Sequence, residues 1–416
     1  MSEFFNVLPP GEAQQLLFKY IEVLEDSELV PVSQGLGRVL SENVNAPHGL
    51  PTFRRSTMDG YAVRSKDTFG ASASLPSFLE VVGEVRMGEE AKVIIQPDQA
   101  SIIHTGGMLP GNADAVVQIE HTQRVGEEEA IKGFEIEVFN SVAPGQNVIQ
   151  IGEDVNKGET ILTGGRQIRP QEIGALLALG ISEIKVVARP VIGIMATGDE
   201  VVLPEESMRP GQIRDINSFT VASLSERAGG IPRLLGIIPD NFQLLKESAE
   251  KALESCDMLV ISAGSSVSVR DMTVDILGDM GEPGILVHGV ATKPGKPTIL
   301  GAAGGKPLIG LPGNPVSAMI QFLIFGVSAI YQLQGIQPHP PARSTWATVE
   351  QNISSETGRE DYIPAKIVDT SAEKLAMPIF GKSNLIFTLV NADGLIRIPL
   401  NKGGVLAGEL VEVLLF

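Results

Sequence analysis

The stretch Leu311-Pro312-Gly313-Asn314-Pro315-Val316-Ser317-Ala318 joins a short apolar run to a long apolar helical pattern. Pro-Gly ends the apolar run, Asn314 stands where a helix N-cap belongs, and Pro315 takes the first helical position. The stretch therefore predicts a strand, a tight turn and a buried helix whose free backbone N–H groups point past the end of the strand. Such a helix N-terminus favours anions, because the helix dipole and the unpaired N–H groups both attract negative charge.

The same order of strand and helix fills most of the second half of the chain. The apolar runs there are continuous rather than alternating with polar residues, and each leads into a helical pattern. This is typical of a doubly wound, mostly parallel α/β sheet with three layers. The predicted strands are residues 191–196, 233–238, 258–262, 285–290 and 307–309. The predicted helices are residues 218–228 capped by Asn217, 242–255 capped by Asn241, 272–280 and the helix after Asn314.

The rest of the chain predicts a multidomain α/β plus β protein. Residues 11–24 carry apolar side chains at helical spacing, and short β-like runs follow at residues 78–82, 92–95, 101–104, 115–119 and 135–139. These runs predict an inserted β-rich domain. The predicted organisation is a discontinuous helical and β linker domain (1–50 and 144–187), the inserted domain (51–143), the α/β domain (188–335) and a small C-terminal β-barrel (336–416).

Composition excludes several classes of function. The 416 residues carry a formal net charge of −18, which argues against binding nucleic acid or an anionic membrane by bulk electrostatics. The single cysteine, Cys256, excludes an intramolecular disulfide and fits a reducing compartment. No signal-peptide pattern opens the chain, and the apolar residues 316–333 fit a buried core helix better than a membrane span. We therefore expect a cytoplasmic globular protein.

Charged and small residues follow the predicted strands. Glu200, Asp240 and Asp271 each come after a strand, as do the small-residue turn 262–266 and the cationic loop 293–297. Ligands of open α/β sheets bind at this edge. Three carboxylates would repel an anion unless a divalent cation bridged them, and Mg²⁺ prefers oxygen ligands and phosphate. The pattern predicts a pocket for a phosphorylated or oxyanionic molecule with Mg²⁺. The alternative is that each Asp or Ser only caps a helix, which is about as common.

A further motif lies outside the predicted sheet. Residues 51–62 read Pro-Thr-Phe-Arg-Arg-Ser-Thr-Met-Asp-Gly-Tyr-Ala. This resembles the Ser-x-Met-Asp-Gly-Tyr-Ala signature of the molybdopterin molybdenumtransferases, the family of the bacterial MoeA proteins and the matching domain of gephyrin. The resemblance covers essentially the whole chain. It continues in order through residues 105–110, 114–117, 152–154, 196–200, 293–297 and 311–318.

The resemblance implies an enzyme of molybdenum cofactor biosynthesis. Such enzymes insert molybdenum from molybdate into adenylylated molybdopterin, use Mg²⁺ and release AMP. It also implies an elongated homodimer in which the linker domain dimerises. The α/β domain would bind molybdopterin, and the site would lie between that domain and the partner's β-rich domain. The molybdopterin adenylyltransferase and acceptor molybdoenzymes are further implied partners.

The resemblance also implies roles for individual residues. Together with the strand-end pattern, it implies catalytic Asp59, Glu200, Asp240 and Asp271, of which the last three would also bind the metal. The residues implied for substrate binding are Thr105, Asp154, Thr197, Gly198, Ser262, Gly264, Ser265, Ser266, Lys293, Pro294, Lys296, Pro297, Pro312, Gly313 and Asn314.

The sequence departs from the family pattern in two places. Ala263 and Ser268 replace glycines of the usual loop, which removes freedom for positive φ, and Gln150 stands where an arginine is common. The carboxylates are kept, so we expect the activity to be kept, with tungstate as an alternative oxyanion. Two other functions stay open: a non-catalytic pterin-binding scaffold, and a Mg²⁺-dependent nucleotide pyrophosphatase of looser specificity.

Overall fold

The structure is a computed structural model that describes residues 7–125, 132–263, 267–371 and 373–416, without the side chains of residues 267–270. The chain forms two compact units. The first comprises residues 1–42, 165–173 and 183–416, and the second comprises residues 43–164 and 174–182. The α/β sheet and the barrel of the first unit agree with the predicted multidomain α/β fold. The boundaries of the four predicted domains stay predictions.

The first unit begins with helix α1 (Pro10–Phe18), followed by strand β1 (Ser27–Pro31). The helix is shorter than the predicted pattern over residues 11–24. It ends early because the backbone N–H groups beyond it donate to carbonyls elsewhere, those of Gly305 and Leu333. The apolar spacing was nevertheless informative, since Ala13, Leu17 and Ile21 are all buried in the core of the α/β part.

The second unit is rich in β-structure. Its strands are β2 (Val44–Asn45), β3 (Arg55–Ser56), β4 (Gly60–Val63), β5 (Ser77–Val85), β6 (Gln99–Ile103), β7 (Ala115–Gln118), β8 (Thr122–Val125), β9 (Phe134–Val138), β10 (Val148–Ile149) and β11 (Thr160–Leu162). Six of them form one sheet in the order β7-β4-β6-β5-β9-β8. The strand predicted at residues 92–95 is wrong, because Ile94 makes only a single bridge, to Gly111. Pairing stops there because the next N–H groups along the chain donate elsewhere, that of Leu109 to the Arg54 carbonyl and that of Ala113 to the Pro110 carbonyl.

The chain then forms helix α2 (Pro170–Ala178) and strand β12 (Glu183–Val187), which pairs antiparallel with β1. Glu172, in the first turn of α2, is only 4% exposed and accepts hydrogen bonds from Arg169 and Arg166. The bonds from Arg169, and then those from Arg166, lower the pKa of Glu172 to about 2, although burial acts in the opposite direction. Glu172 is therefore a charged group whose ion pairs stabilise the folded chain near neutral pH.

Replacing Glu172 by glutamine should lower the free energy of unfolding by about 2 kcal/mol at pH 7, allowing for the exposed arginines. Because the folded pKa lies below the unfolded value, this contribution is present above about pH 4.5. It is lost as the pH falls toward 2. Urea unfolding at pH 7 and pH 3 checks the prediction, with Glu183→Gln, at an exposed residue, as control. An equal destabilisation at both pH values would contradict it.

The α/β part of the first unit follows. Its elements are β13 (Val191–Thr197), β14 (Val201–Val202), β15 (Ile213–Arg214), α3 (Asn217–Arg227), β16 (Ile231–Ile238), α4 (Phe242–Leu253), β17 (Met258–Ala263), α5 (Val267–Gly278), β18 (Pro283–His288), β19 (Thr292–Lys293), β20 (Ile299–Ala303), β21 (Lys306–Pro312), α6 (Pro315–Gln321) and α7 (Val327–Leu333). The π-helical turn Phe322–Gly326 joins α6 to α7. The main sheet has the order β16-β13-β17-β21-β20-β18. Only β20 runs against the other five strands, because both of its pairings are antiparallel.

Strand β20 is missing from the sequence-based prediction. Its residues include Gly301, Ala302 and Ala303, which do not form an apolar run of the kind that marks the other strands. It forms a hairpin with β21 through Gly304 and Gly305, whose φ values are 54° and 80°. Two successive residues with positive φ are typical of a tight hairpin turn. The five parallel strands therefore still end at the same edge of the sheet, as predicted.

Both faces of this sheet are buried. Ile192 and Ile194 of β13 pack with α1, α3 and the helices after Pro315, whereas Met195 packs with α4 and α5. Among the residues that the structure describes, one helical run, Pro315–Leu333, is long and apolar enough to cross a membrane, and 61% of its most apolar 18-residue stretch is buried. Since this run contributes fully buried side chains to the core, it is the core helix that the sequence predicts.

The chain ends in a small barrel. Its elements are β22 (Ser344–Val349), β23 (Ile353–Ser354), β24 (Glu360–Asp369), β25 (Lys374–Pro378), α8 (Phe387–Val390), β26 (Gly394–Ile398), β27 (Gly404–Val405) and β28 (Leu410–Leu415). Five strands close in the order β24-β25-β22-β28-β26 and back to β24, which confirms the predicted C-terminal barrel. Strand β19 of the α/β part pairs with β24 and sets Lys293 beside Asp361. The cationic loop is thus attached to the barrel.

Candidate functional site

Two cavities border the turn after β21. The cationic cavity has a volume of about 650 Å³ and includes Lys293, Lys296, Arg359 and Lys382 among its lining residues. The carboxylate cavity has a volume of about 350 Å³, and its lining residues include Thr197, Glu200, Asp215, Asn217 and Ser262. Pro312 lines the first cavity, Gly313 lines the second, and Asn314 lines both. The turn that the sequence singles out is therefore the shared wall of two cavities.

The cationic cavity carries an excess of positive charge. Four cationic side chains and one carboxylate, that of Asp361, are among its described lining residues. Arg359 Nε lies 2.8 Å from Asp361 Oδ1, so this pair is neutral as a whole. Lys293, Lys296 and Lys382 also line the cavity, as do the hydroxyl-bearing residues Ser317, Ser383 and Thr388. The cavity is therefore locally positive on a chain of net negative charge.

The loop that carries two of these lysines is held by Gln321 of α6. This side chain is fully buried, and its Nε2 donates to the Pro294 carbonyl at 2.8 Å and to Thr292 Oγ1 at 3.1 Å. A Cβ on Gly295, whose φ is 109°, would overlap the Gln321 side chain. Sequence reasoning missed Gln321, although a polar residue within an otherwise apolar helix was an available signal.

Replacing Gly295 by alanine should lower the free energy of unfolding by about 2–4 kcal/mol, the sum of backbone strain and overpacking. Gly408→Ala is the matched control, because Gly408 also has a positive φ of 86° but has nothing within 4 Å of an added Cβ. The control should cost about 1–2 kcal/mol, from backbone strain alone. Urea unfolding of both variants measures the difference, and equal losses would contradict the predicted clash with Gln321.

Helix α6, which follows the shared wall, begins where the sequence predicts. The hydrogen-bond partners at its N-terminus are not the expected ones. Asn314 is the N-cap and Pro315 the first helical residue, as predicted, but the Asn314 side chain makes no capping bond. Instead, its Nδ2 donates to Ser383 Oγ at 2.9 Å, and the Val316 N–H donates to the Ser383 carbonyl at 3.0 Å. A helix N–H group expected to face an anion is therefore used by the barrel segment.

The carboxylate cavity begins at the end of β13. Thr197 Oγ1 donates to Asp240 Oδ1 at 2.7 Å, so these two predicted site residues do come together. A Cβ on Gly198 would lie 2.9 Å from Glu200 Oε2, which shows that the Glu200 carboxylate folds back over this glycine. The absence of a side chain at Gly198 makes room for that carboxylate.

The predicted cap of the next helix is wrong. Asn217 is the first residue of α3, and Asp215 takes the capping role by accepting from the Ser218 N–H at 3.0 Å. The Asn217 Nδ2 donates instead to Ser262 Oγ and to the Gly313 carbonyl, each at 2.9 Å. Asn217 thus ties three segments of the cavity wall together.

The predicted Mg²⁺ ligands do not form a complete site on their own. Across the described residues, no group of three His, Cys, Asp or Glu side chains could hold a metal ion. Glu200 lines the carboxylate cavity and Asp240 bonds to its wall, but Asp271, half-buried in α5, lines neither cavity. Mg²⁺ commonly uses one or two carboxylates together with substrate phosphate. Of the three predicted ligands, only Glu200 and Asp240 therefore belong to the surroundings of the carboxylate cavity, and a metal held there would need further oxygen ligands from a substrate.

The second unit brings two further predicted residues together. Asp59 Oδ1 accepts from the Thr105 N–H at 2.9 Å. His104, which sequence reasoning left out, has Nδ1 at 3.7 Å from Asp59 Oδ1 and Nε2 at 2.9 Å from Glu84 Oε1. Asp154 is exposed on a loop of the same unit. An exposed, hydrogen-bonded carboxylate such as that of Asp59 is available to a ligand.

Part of the predicted site lies outside the described residues, namely Gly264, Ser265 and Ser266, as do the side chains of Ser268 and Arg270. Ala263, which replaces a glycine of the family pattern, fits the local backbone. Ala263 is the last residue of β17, is buried, and pairs with Pro312, so a side chain is tolerated there. Gln150 is exposed, and its N–H donates to Glu153 Oε2 at 2.7 Å.

Three domain families match the chain. They are the MoeA N-terminal region (domain I and II) over residues 8–180, a "probable molybdopterin binding domain" over residues 193–332, and the MoeA C-terminal region (domain IV) over residues 347–416. Two bacterial relatives are named molybdopterin molybdenumtransferase. The Bacillus subtilis protein is 32% identical over 94% of this chain and 90% of its own length, and the Nostoc protein is 31% identical over 99% and 91%.

The fold has a close counterpart among solved structures. The crystal structure of the molybdopterin biosynthesis MoeA protein from Pyrococcus horikoshii is 33% identical to this chain, with a TM-score of 0.85. The match covers 99% of this chain and 100% of that one. The likeness therefore extends through both compact units and is not limited to the α/β sheet.

Proposed function

Because the chain belongs to the MoeA family of molybdopterin molybdenumtransferases, we propose that it inserts molybdenum from molybdate into adenylylated molybdopterin. The broader role is that of a molybdotransferase in molybdenum cofactor biosynthesis. The proposal adds the chemical form of the pterin substrate, the use of Mg²⁺ and the release of AMP. It also makes molybdate, rather than tungstate, the expected oxyanion.

One observation carries this proposal: the turn Pro312–Asn314 separates a cationic cavity from a carboxylate cavity. Lysines and hydroxyls are suited to a tetrahedral oxyanion such as molybdate. Carboxylates beside a strand end are suited to a phosphoanhydride that brings Mg²⁺ with it. The shared wall supports the proposal, because two ligands bound in these cavities would lie next to each other, as transfer of a metal oxyanion to a bound pterin requires.

The residues of the two cavities have different tasks in this proposal. Lys293 and Lys296 hold the oxyanion, and Gln321 keeps their loop in place. Glu200 and Asp240 would hold Mg²⁺, which supplies charge neutralisation at the phosphoanhydride when bound. Asp271 is proposed to join them once substrate is present, and Asp59 is proposed to act from the second unit of a partner subunit. The homodimer, the other protein partners and the cytoplasmic location also stay predictions.

An assay of AMP release tests the proposed function. Purified protein is incubated anaerobically with adenylylated molybdopterin, molybdate and MgCl₂, and AMP is measured by chromatography. We expect AMP to form only in the complete mixture, and to form more slowly with tungstate. Omitting either molybdate or MgCl₂ provides the controls.

The same assay separates the two alternatives. Tight pterin binding without AMP release would favour the scaffold and contradict the proposal. Cleavage of unrelated dinucleotides at a similar rate, independent of molybdate, would favour a general pyrophosphatase. The carboxylates of Glu200, which lines the cavity, and of Asp240, which accepts from the lining residue Thr197, favour the transferase over the scaffold.

A further inference from the structure

Asn217 carries an unpaired acceptor at the carboxylate cavity. The residue lines this cavity and is only 7% exposed. The Gly313 carbonyl can only accept, so the amide nitrogen must face it, and this fixes the orientation of the amide group. The Oδ1 atom of the same amide group exposes less than 1 Å² and has no hydrogen-bond partner within the part of the chain that the structure describes. Buried acceptors of this kind are rare and costly.

The groups around Asn217 define which ligand atom could satisfy it. Thr197 has given its hydroxyl hydrogen to Asp240, so it offers only lone pairs to the cavity. Glu200 and Asp215 are carboxylates on the same wall. Among the described lining residues, the sole cation is Arg214, which is exposed and donates to the Pro204 carbonyl and to Met208. An oxyanion without a bridging cation would be repelled beside Asn217, whereas a ligand N–H would be attracted.

We propose that Asn217 is a specificity-determining residue whose Oδ1 accepts a hydrogen bond from an aminopyrimidine ring of the substrate. This inference rests on the proposed function, because both the pterin and the adenine of adenylylated molybdopterin contain such a ring. Since Oδ1 is shielded, the ring must displace part of the cavity wall as it binds. A bound ring that lacks this donor would cover Oδ1 and leave it unpaired, so the contact is selective for the donor.

Pairs of ligands that differ only in the amino group test this role. The first pair is AMP and purine riboside 5′-monophosphate, and the second is pterin-6-carboxylate and its 2-deamino analogue. In the wild-type protein, isothermal titration should show that the amino ligand binds about tenfold to a hundredfold more tightly in one pair. That pair identifies adenine or pterin as the ring. In the Asn217→Leu variant the ratio should fall to about one.

Two further variants serve as a substitute and as a control for Asn217→Leu. Asn217→Ala removes the acceptor without adding bulk, and it replaces the leucine variant if thermal unfolding shows that the latter is not folded. Asn384→Leu makes the matched change at an exposed residue lining the same cavity, and the ratio should stay at its wild-type value. A ratio of two affinities in one protein is insensitive to a uniform loss of active protein.

The outcomes separate this inference from the proposed function. The inference is overturned if both Asn217 variants keep the wild-type ratio, or if the wild-type protein prefers neither amino ligand, including the case in which it binds none. An Asn217-dependent preference without AMP release would refute the proposed function alone. AMP release without such a preference would refute the role of Asn217 alone.

Discussion

Replacing Lys293 and Lys296 together by alanine is expected to weaken molybdate binding by at least about a hundredfold. Both lysines line the cationic cavity, where they are two of the four cationic side chains among its described lining residues. A charge-assisted hydrogen bond to an oxyanion contributes about 1.5–3 kcal/mol, so the loss of two has a large effect. Equilibrium dialysis with molybdate measures the dissociation constant directly.

The matched control for this variant is Lys366→Ala with Lys374→Ala. These lysines are exposed on strands β24 and β25 of the barrel, so the control removes the same charge from the same part of the molecule. We expect less than a threefold change in the control, since exposed charges are screened by salt. Equal weakening in both double variants would show that net charge, rather than the cavity, binds the oxyanion.

The sheet was the part of the fold that the sequence predicted best. Strands β13 and β17 are buried on both faces and therefore read as continuous apolar runs, and the cap at Asn241 is confirmed by its bond to the Leu244 N–H. Strand β20 could not be predicted in the same way, because small residues suffice where it packs between β21 and β18. Periodicity detects large apolar side chains, and it misses a strand such as β20, in which only Ile299 and Leu300 are large.

For the cationic cavity, the sequence predicted lining residues of the α/β domain and missed those of the barrel. Lys293 and Lys296 were found from their loop, but Arg359, Lys382 and Ser383 come from the barrel and reach the cavity through the pairing of β19 with β24. No local pattern encodes a pairing between strands so far apart in the chain. The same reason explains Asn217. A position before a helix suggested a cap, whereas its actual partners lie 45 and 96 residues away.

Replacing Glu200 by glutamine is expected to slow AMP release by about a hundredfold to a thousandfold. The change keeps the size of the side chain and its place over Gly198, but it removes the negative charge at the carboxylate cavity. Because Glu200 is proposed to hold the Mg²⁺ that neutralises the charge developing as the phosphoanhydride breaks, kcat should fall by much more than KM for the pterin substrate changes. Single-turnover measurement of AMP gives the chemical step directly.

Glu205→Gln is the control that isolates this effect, since Glu205 is exposed in the segment between β14 and β15 and does not line the cavity. It loses the same charge five residues further along the chain and should keep wild-type kinetics. If Glu200→Gln instead raised KM with kcat unchanged, Glu200 would contribute only to substrate affinity. If both variants slowed the reaction equally, the effect would come from the general field of an acidic protein. The contrast between the two glutamates thus tests whether the carboxylate cavity, and not only the cationic one, takes part in the chemistry.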